Sequence, residues 1–386
     1  MRLPSESVTS TLTVSPFQTN RAIAFYLPQY HPIPENDQWW GPGFTEWTNT
    51  AKARPLFRGH YQPHVPADLG FYDLRQPETR QAQAEMAREY GIEGFCYYHY
   101  WFGNGRRLLQ RPFEEVVQSG QPDFPFCLCW ANETWTGVWH GLSSRVLVEQ
   151  TYPGKEDAAR HFHTLLPAFS DRRYVTVDGK PLFLVYSPTE LPNPKWFTDY
   201  WRSLAIRAGL PGMFFVGVEN EPWNPAANGF DGATTRTLHL ARQLDGGVWR
   251  SRARFHWRRL LGRPPLVFSY KDAIERFILE ECQTTNVYPS VVPNWDNTPR
   301  SSLRGLVLHG STPELFGQHL RSTLEQIAHK PRDHRIIFIK SWNEWAEGNH
   351  LEPDWKFGRQ YLEVLNAELI RAHEALALRS LRKAAS

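Results

Sequence analysis

The sequence predicts a (β/α)8 barrel with long loops after its strands and one Arg-rich insertion. Three observations carry this. Eight short apolar runs recur along the 386 residues. Most are continuous rather than alternating, as strands buried on both faces of a parallel sheet require. Amphipathic segments of helical period separate most of them, which is the pattern of repeated strand–helix units. The competing arrangement is an open doubly wound sheet. No Gly-x-Gly-x-x-Gly follows any of the runs, which weakens a nucleotide-binding version of it.

The runs are Ala22 to Leu27, Gly94 to Tyr98, Phe126 to Trp130 and Leu182 to Tyr186, then Met213 to Val218, a weaker one from Phe230 to Ala233, Val287 to Val292, and Ile336 to Lys340. Helices are expected over Glu78 to Tyr90, Pro112 to Gln118, Glu156 to Phe169, Lys195 to Ala208, Pro313 to Ala328 and Gly358 to Leu378. The first of these stops at Gly91, a residue suited to the left-handed turn that ends a helix. Residues 1–20 read as a disordered Ser/Thr leader, 21–378 as the barrel, about 234–265 as an insertion within it, and 379–386 as a C-terminal tail.

Composition narrows the class. Charged residues are 22% and hydrophobic residues 41% of the chain, which excludes an intrinsically disordered protein. A net charge of +3 points to no nucleic acid partner. The four cysteines, Cys96, Cys127, Cys129 and Cys282, are too few for a disulfide framework, and Cys127 and Cys129 read as buried strand thiols. No uncharged apolar run approaches the roughly 18 residues of a membrane span. The N-terminal stretch has no apolar signal core, so a cytoplasmic location is expected by default. The unusual quantity is aromatic: 16 Trp, 15 Tyr and 23 Phe. Indole is large and carries an N–H, so an excess of Trp points to a use beyond packing.

From Thr234 to Arg263 there are eight arginines and no clear strand. The plain reading is a solvated excursion from the barrel. The sharper one is a basic flap against an anionic polymer, a lipid phosphate or a membrane surface, with Trp249, Phe255 and Trp257 interleaved among the arginines.

In a parallel barrel, chemistry sits at the C-terminal ends of the strands. Tyr26, Gln29, Tyr30 and His31 lie at the first such end, with Trp47 in the loop beyond. His99, Tyr100 and Trp101 follow the second run; Trp130, Asn132 and Glu133 close the third. Asn294, Trp295 and Asp296 follow the seventh, and Trp342, Asn343, Glu344 and Glu347 the eighth. Polar and aromatic side chains of this kind bind sugars, by hydrogen bonds to hydroxyls and by stacking on the C–H face of the ring. Glu344 and Glu347, three apart, share a side of a helical turn. Two carboxyls in one pocket can be driven to different pKa values, one acid and one base, which is the pair glycoside cleavage needs. The plain alternative is an ion pair with a rim cation such as Lys340. Trp135 and Trp139, at near-helical spacing, are candidates for core. The histidines and carboxylates are otherwise scattered and no Cys-x-x-Cys spacing is present, so neither a metal nor another cofactor is expected.

Five segments carry a resemblance. They are YLPQYHPIPENDQWWGPGFTEWTNTAKARPLFRGHYQPHVPADLGFYD (26–73), GFCYYHYWF (94–102), WANETWT (130–136), PNWDNTPR (293–300) and KSWNEWAEGNHLEPD (340–354). Together they strongly resemble the WbsX-type family, found in bacterial polysaccharide and O-antigen gene clusters. That family is similar to glycoside hydrolase family 99, the endo-α-mannosidases and endo-α-mannanases, whose signature is Asn-Glu-Trp-His-Glu-Gly. Asn343, Glu344, Trp345, Glu347 and Gly348 match it, and Ala346 stands where the His would be. The resemblance implies a (β/α)8 barrel and a retaining mechanism. Glu344 would act as base on the sugar 2-OH, and Glu347 as general acid and then base. It implies an oligo- or polysaccharide partner. The alternative is a glycosyltransferase of O-antigen or lipopolysaccharide biosynthesis, using a nucleotide sugar or a lipid-linked sugar. No Asp-x-Asp or Gly-rich phosphate loop supports that alternative.

Overall fold

The computed structural model describes residues 19–137, 145–219, 223–235, 248–260, 266–284 and 286–384. Eight parallel strands form a closed ring. They are β1 (Arg21–Tyr26), β2 (Gly94–Trp101), β3 (Phe126–Trp130), β4 (Lys180–Val185), β5 (Phe214–Glu219), β6 (Gly232–Thr235), β7 (Val287–Tyr288, continuing after Pro289 as Ser290–Val291) and β8 (Ile336–Ile339). Neighbours in sequence are neighbours in the sheet, and β8 pairs with β1 from Arg21↔Ile336 to Ala24↔Ile339. Ring closure explains the continuous apolar runs. Each strand has side chains packed inside the barrel and against the helices, and Ile336–Ile339 is buried throughout.

Helices Pro77–Glu89, Arg111–Ser119, Lys155–Phe169, Pro194–Arg207, Pro313–Ile327 and Gln360–Ala384 lie where the periodicity places them, the last extending past Leu378. Gly91 turns the chain into β2 at φ +87°. The four cysteines are free and buried. Among the described residues, no helix is long and apolar enough to cross a membrane.

Three features depart from the sequence-based expectations. β2 runs three residues beyond Tyr98, so His99, Tyr100 and Trp101 lie on the strand itself. The loop after β1 holds short helices Pro34–Trp40 and Glu46–Lys52, the second begun by a capping box on Thr45. The region between β6 and β8 holds helices Val248–Leu260 and Tyr270–Phe277 and a small second sheet. In that sheet Leu266–Ser269 pairs with Leu306–His309, which in turn pairs with Trp295–Asp296. It has its own apolar cluster, including Tyr270, Phe277 and Leu308, and it fixes the loop after β7. The leader through residue 18, Trp139, Arg236, Arg242 and Arg263 lie outside the described residues.

Candidate active site

A cavity of about 410 Å3 opens at the C-terminal ends of the strands. Leu27, Tyr98, Tyr100, Glu133, Tyr186 and Lys340 line it from strands β1 to β4 and β8. Trp295, Asn297 and Arg300 line it from the loop after β7. Glu344 and Glu347 reach it from the loop after β8.

That last loop is built to hold two acids. Asn343–Glu344 pairs antiparallel with Asn349–His350, and the turn between them is one 3-10 turn, Trp345–Glu347. Glu344 immediately precedes this turn and Glu347 ends it, and both side chains reach the same guanidinium, that of Arg300. Gly348 closes the turn at φ +56°, where a Cβ would come 3.0 Å from Cβ of Asp296. Ser341 Oγ accepts the backbone N–H groups of Asn343 and Glu344 at 3.0 and 2.8 Å. The Asn343 side chain ties the loop to β1. It accepts from Leu27 N at 2.7 Å and donates to Leu27 O at 3.0 Å.

One guanidinium holds both acids. Arg300 donates through Nη2 to Glu344 at 3.0 Å, through Nη1 to Glu347, and through Nε to Glu46 at 3.0 Å. All four side chains are largely buried. Burial pushes both Glu344 and Glu347 above the usual carboxylate range. For Glu344 the neighbouring charge of Glu347 adds to this, and for both Arg300 opposes it. Three buried carboxylates on one guanidinium leave net negative charge, so the cluster favours holding a proton. The Lys340 ammonium also borders the cavity, 5.5 Å from the centroid of the Tyr186 ring and 5.8 Å from that of Phe25.

A buried layer supports this turn from behind. Tyr30 donates to Asn343 O at 2.5 Å and accepts from Trp345 N at 3.1 Å. Trp345 donates through Nε1 to Glu352 at 2.6 Å, and Glu352 also accepts from Tyr72 and Gln83. Burial raises Glu352 to about 7. Trp47 packs on Tyr30 and Trp345, and its indole N–H is taken by Tyr72 O.

Of the residues singled out from the sequence, Gln29, Tyr100, Glu133, Trp295, Glu344 and Glu347 come together around the cavity. Tyr30, Trp47 and Asn343 stand behind it, as above. The other nine do not line it. Strand alternation explains several of these. Tyr98 and Tyr100 of β2 point inward, whereas His99 bonds His161 at 2.8 Å and Trp101 stacks on the same His161 and donates to Asp157. Trp130 lies beside Trp101 and donates to its carbonyl. Tyr26 packs on Phe95 and Tyr97 and donates to Gln83. Trp342 is wholly buried against Phe95. Asn132 links the ends of β3 and β4 through both the N–H and the carbonyl of Ser187. His31 is buried, and burial lowers its pKa to about 4. Asn294 is half-buried, and Asp296 accepts from His60 and Gln62 at 2.6 Å each. The excess of Trp is therefore divided: Trp40, Trp135 and Trp295 face the cavity, while Trp101, Trp130, Trp342 and Trp345 are buried packing. Trp135, expected as core, is one of the cavity residues.

Sequence reasoning missed Glu46, Tyr98, Tyr186 and Arg300. Glu46 carried a signal, an acid one residue inside a capped helix in an aromatic stretch; Arg300 carried none. Histidines and acids scattered along the chain also meet in space. Donor atoms of His64, His350 and Asp354 lie within 4.8 Å of one another in a buried cluster. His64 Nδ1 is 2.8 Å from His350 Nε2, and Asp354 accepts from Tyr61 and from two backbone N–H groups.

Comparisons with known proteins bear on the family and the fold. The family described as Glycosyltransferase WbsX matches residues 22–365. Two curated relatives, each an "Uncharacterized protein WxcX" from a strain of Xanthomonas campestris pv. campestris, are 39% identical over 359 residues. The alignment covers 91% of this chain and 50% of each relative, so the chain spans about half the length of the curated relatives it matches. The GH99 endo-α-mannosidase of Bacteroides thetaiotaomicron has the same fold, with TM-score 0.54 at 14% identity over 92% of this chain and 98% of that one. A glycoside hydrolase-like protein aligns with TM-score 0.51 at 14% identity, covering 91% of this chain and 94% of its own. By their descriptions, the family and these two structures alike are carbohydrate-active proteins. The match over most of its length makes this chain a member of the WbsX family.

Proposed function

We propose that the chain is a retaining glycosidase-like enzyme acting on α-linked hexose or deoxyhexose residues of a bacterial surface polysaccharide. The observation that carries this is the pair Glu344 and Glu347, buried side by side on Arg300 at the wall of a barrel-mouth cavity. Burial raises both carboxyls and Arg300 opposes this on both, so the pair holds a proton near neutral pH; in the roles below, that shared proton sits on Glu347 and Glu344 is the carboxylate when the sugar is bound. Glu344 takes the proton of the sugar 2-OH as O2 attacks C1. Glu347 gives its proton to the departing glycosidic oxygen as the C1–O bond breaks. A 1,2-anhydro sugar results. Water then attacks C1 and loses its proton to Glu347, while the C1–O2 bond opens and O2 recovers the proton from Glu344. The net configuration at C1 is retained. The aromatic wall of Tyr98, Tyr100, Trp135 and Trp295 supplies stacking faces for sugar rings. Glu344→Gln and Glu347→Gln should each abolish release of reducing ends from the polysaccharide. Full activity in both variants would overturn the assignment.

A second reading is favoured by the family's printed description: transfer of a sugar from a nucleotide or lipid-linked donor. Calorimetric titration with a panel of nucleotide sugars separates the two. Sugar-specific saturable binding supports transfer, and its absence leaves hydrolytic chemistry.

A further inference from the structure

The helix Val248–Leu260 carries arginines at 250, 252, 254, 258 and 259 and no acidic residue. The whole chain has a formal excess of only +3, so this one helix is far more basic than the rest. Trp249, Ala253, Trp257 and Leu260 fall at i, i+4, i+8 and i+11, one stripe along the helix. That stripe is turned to solvent: Trp249 is 81%, Trp257 65% and Leu260 81% exposed. Arg250 and Arg252, both exposed, flank it on either side, and the Arg252 guanidinium lies 5.7 Å from the Trp249 ring centroid.

An exposed stripe of two indoles and a leucine is costly in water. A helix that exposes Trp on one line, bordered by Arg, has the composition of helices that lie in the plane of a bilayer surface. The aromatic stripe enters the headgroup region and the arginines meet lipid phosphates. A soluble polyanion satisfies the arginines but leaves the indoles wet, so charge and stripe together favour the bilayer. The helix packs against Ser302–Arg304, just past Arg300 at the cavity wall. Docking through it brings the cavity wall near a membrane surface. We infer that the Trp249–Leu260 stripe and its flanking arginines dock this protein on an anionic lipid bilayer.

The test is co-sedimentation of the whole chain with large unilamellar vesicles. One set is neutral phosphatidylcholine, and in the other about a third of the lipid is phosphatidylglycerol. The expected result is partitioning onto the anionic vesicles only, weakening as salt rises from about 0.1 M to about 0.5 M. Arg250→Gln and Arg252→Gln should each weaken it about fivefold. Trp249→Ser with Trp257→Ser should abolish it, along with quenching of tryptophan fluorescence by brominated lipid. These positions are at the surface, and an unchanged circular dichroism spectrum verifies the fold of each variant. Three results overturn the inference: no binding to anionic vesicles, equal binding to neutral ones, or binding unaffected by the Trp substitutions. Tight binding of soluble dextran sulfate with no vesicle binding likewise overturns it, and assigns the basic face to a soluble polyanion.

Discussion

Replacing Arg300 by Met should destabilise the protein in a pH-dependent way. The guanidinium donates to three carboxylates, Glu46, Glu344 and Glu347, in a largely buried cluster. Removing one partner of a buried ionic group costs about 3–5 kcal/mol, mostly because charge is left uncompensated. With an unfolding entropy of about 2.1 cal/mol/K per residue, 386 residues give about 0.8 kcal/mol/K, so Tm should fall by about 4–6 °C. The fall depends on ionised carboxylates. Arg300 lowers the pKa values of Glu344 and Glu347, so its loss raises them further above their unfolded values. The folded variant then binds protons that the unfolded chain releases, and its stability drops as pH rises. Calorimetry at pH 5 and pH 8 should show the larger loss at pH 8. Glu46→Gln should recover part of that loss in the double variant, because it removes one of the stranded charges. Equal loss at both pH values, with strictly additive effects of Arg300→Met and Glu46→Gln, would refute the shared-cation account.

Three further predictions follow from the supporting layer. Glu352, raised to about 7 by burial, contributes stability below its unfolded value of about 4.3 that is lost as pH rises through about 7; Glu352→Gln should flatten the decline of Tm between pH 5 and 8, and an unchanged slope contradicts this. Gly348→Ala places a Cβ at φ +56° and 3.0 Å from Asp296 Cβ, so it should cost about 1–3 kcal/mol and lower kcat more than the loss of folded protein explains. Asn343→Ala strands the buried Leu27 N–H and C=O; about 2–4 kcal/mol of stability should go, read by denaturant midpoint, with turnover falling as the acid-bearing turn loosens.

The barrel was legible because parallel strands buried on two faces leave continuous apolar runs, and all eight runs correspond to its strands. The acid pair was legible because its spacing and flanking Trp, Asn and Gly are local, and the turn that aligns it is only three residues long. What surrounds the pair was not. Arg300 and Glu46 reach it from other loops, and no spacing rule links positions so far apart in the chain. The strand ends were misjudged for a simpler reason. β2 continues to Trp101, so alternate residues of one stretch face opposite ways, and Tyr100 meets the cavity while His99 and Trp101 meet a helix. The same alternation separates Tyr26 from the mouth. Tryptophan count alone gave no way to tell Trp342, wholly buried, from Trp295 at the cavity wall.

The central claim is that Glu344 and Glu347 break a glycosidic bond with retention. The most direct measurement is proton NMR of the surface polysaccharide of the source organism, recorded as the protein acts on it. The account predicts new reducing ends whose first-formed anomer is α, before mutarotation, and no signal with Glu344→Gln or Glu347→Gln. A first-formed β anomer, or undiminished cleavage by both variants, would contradict it.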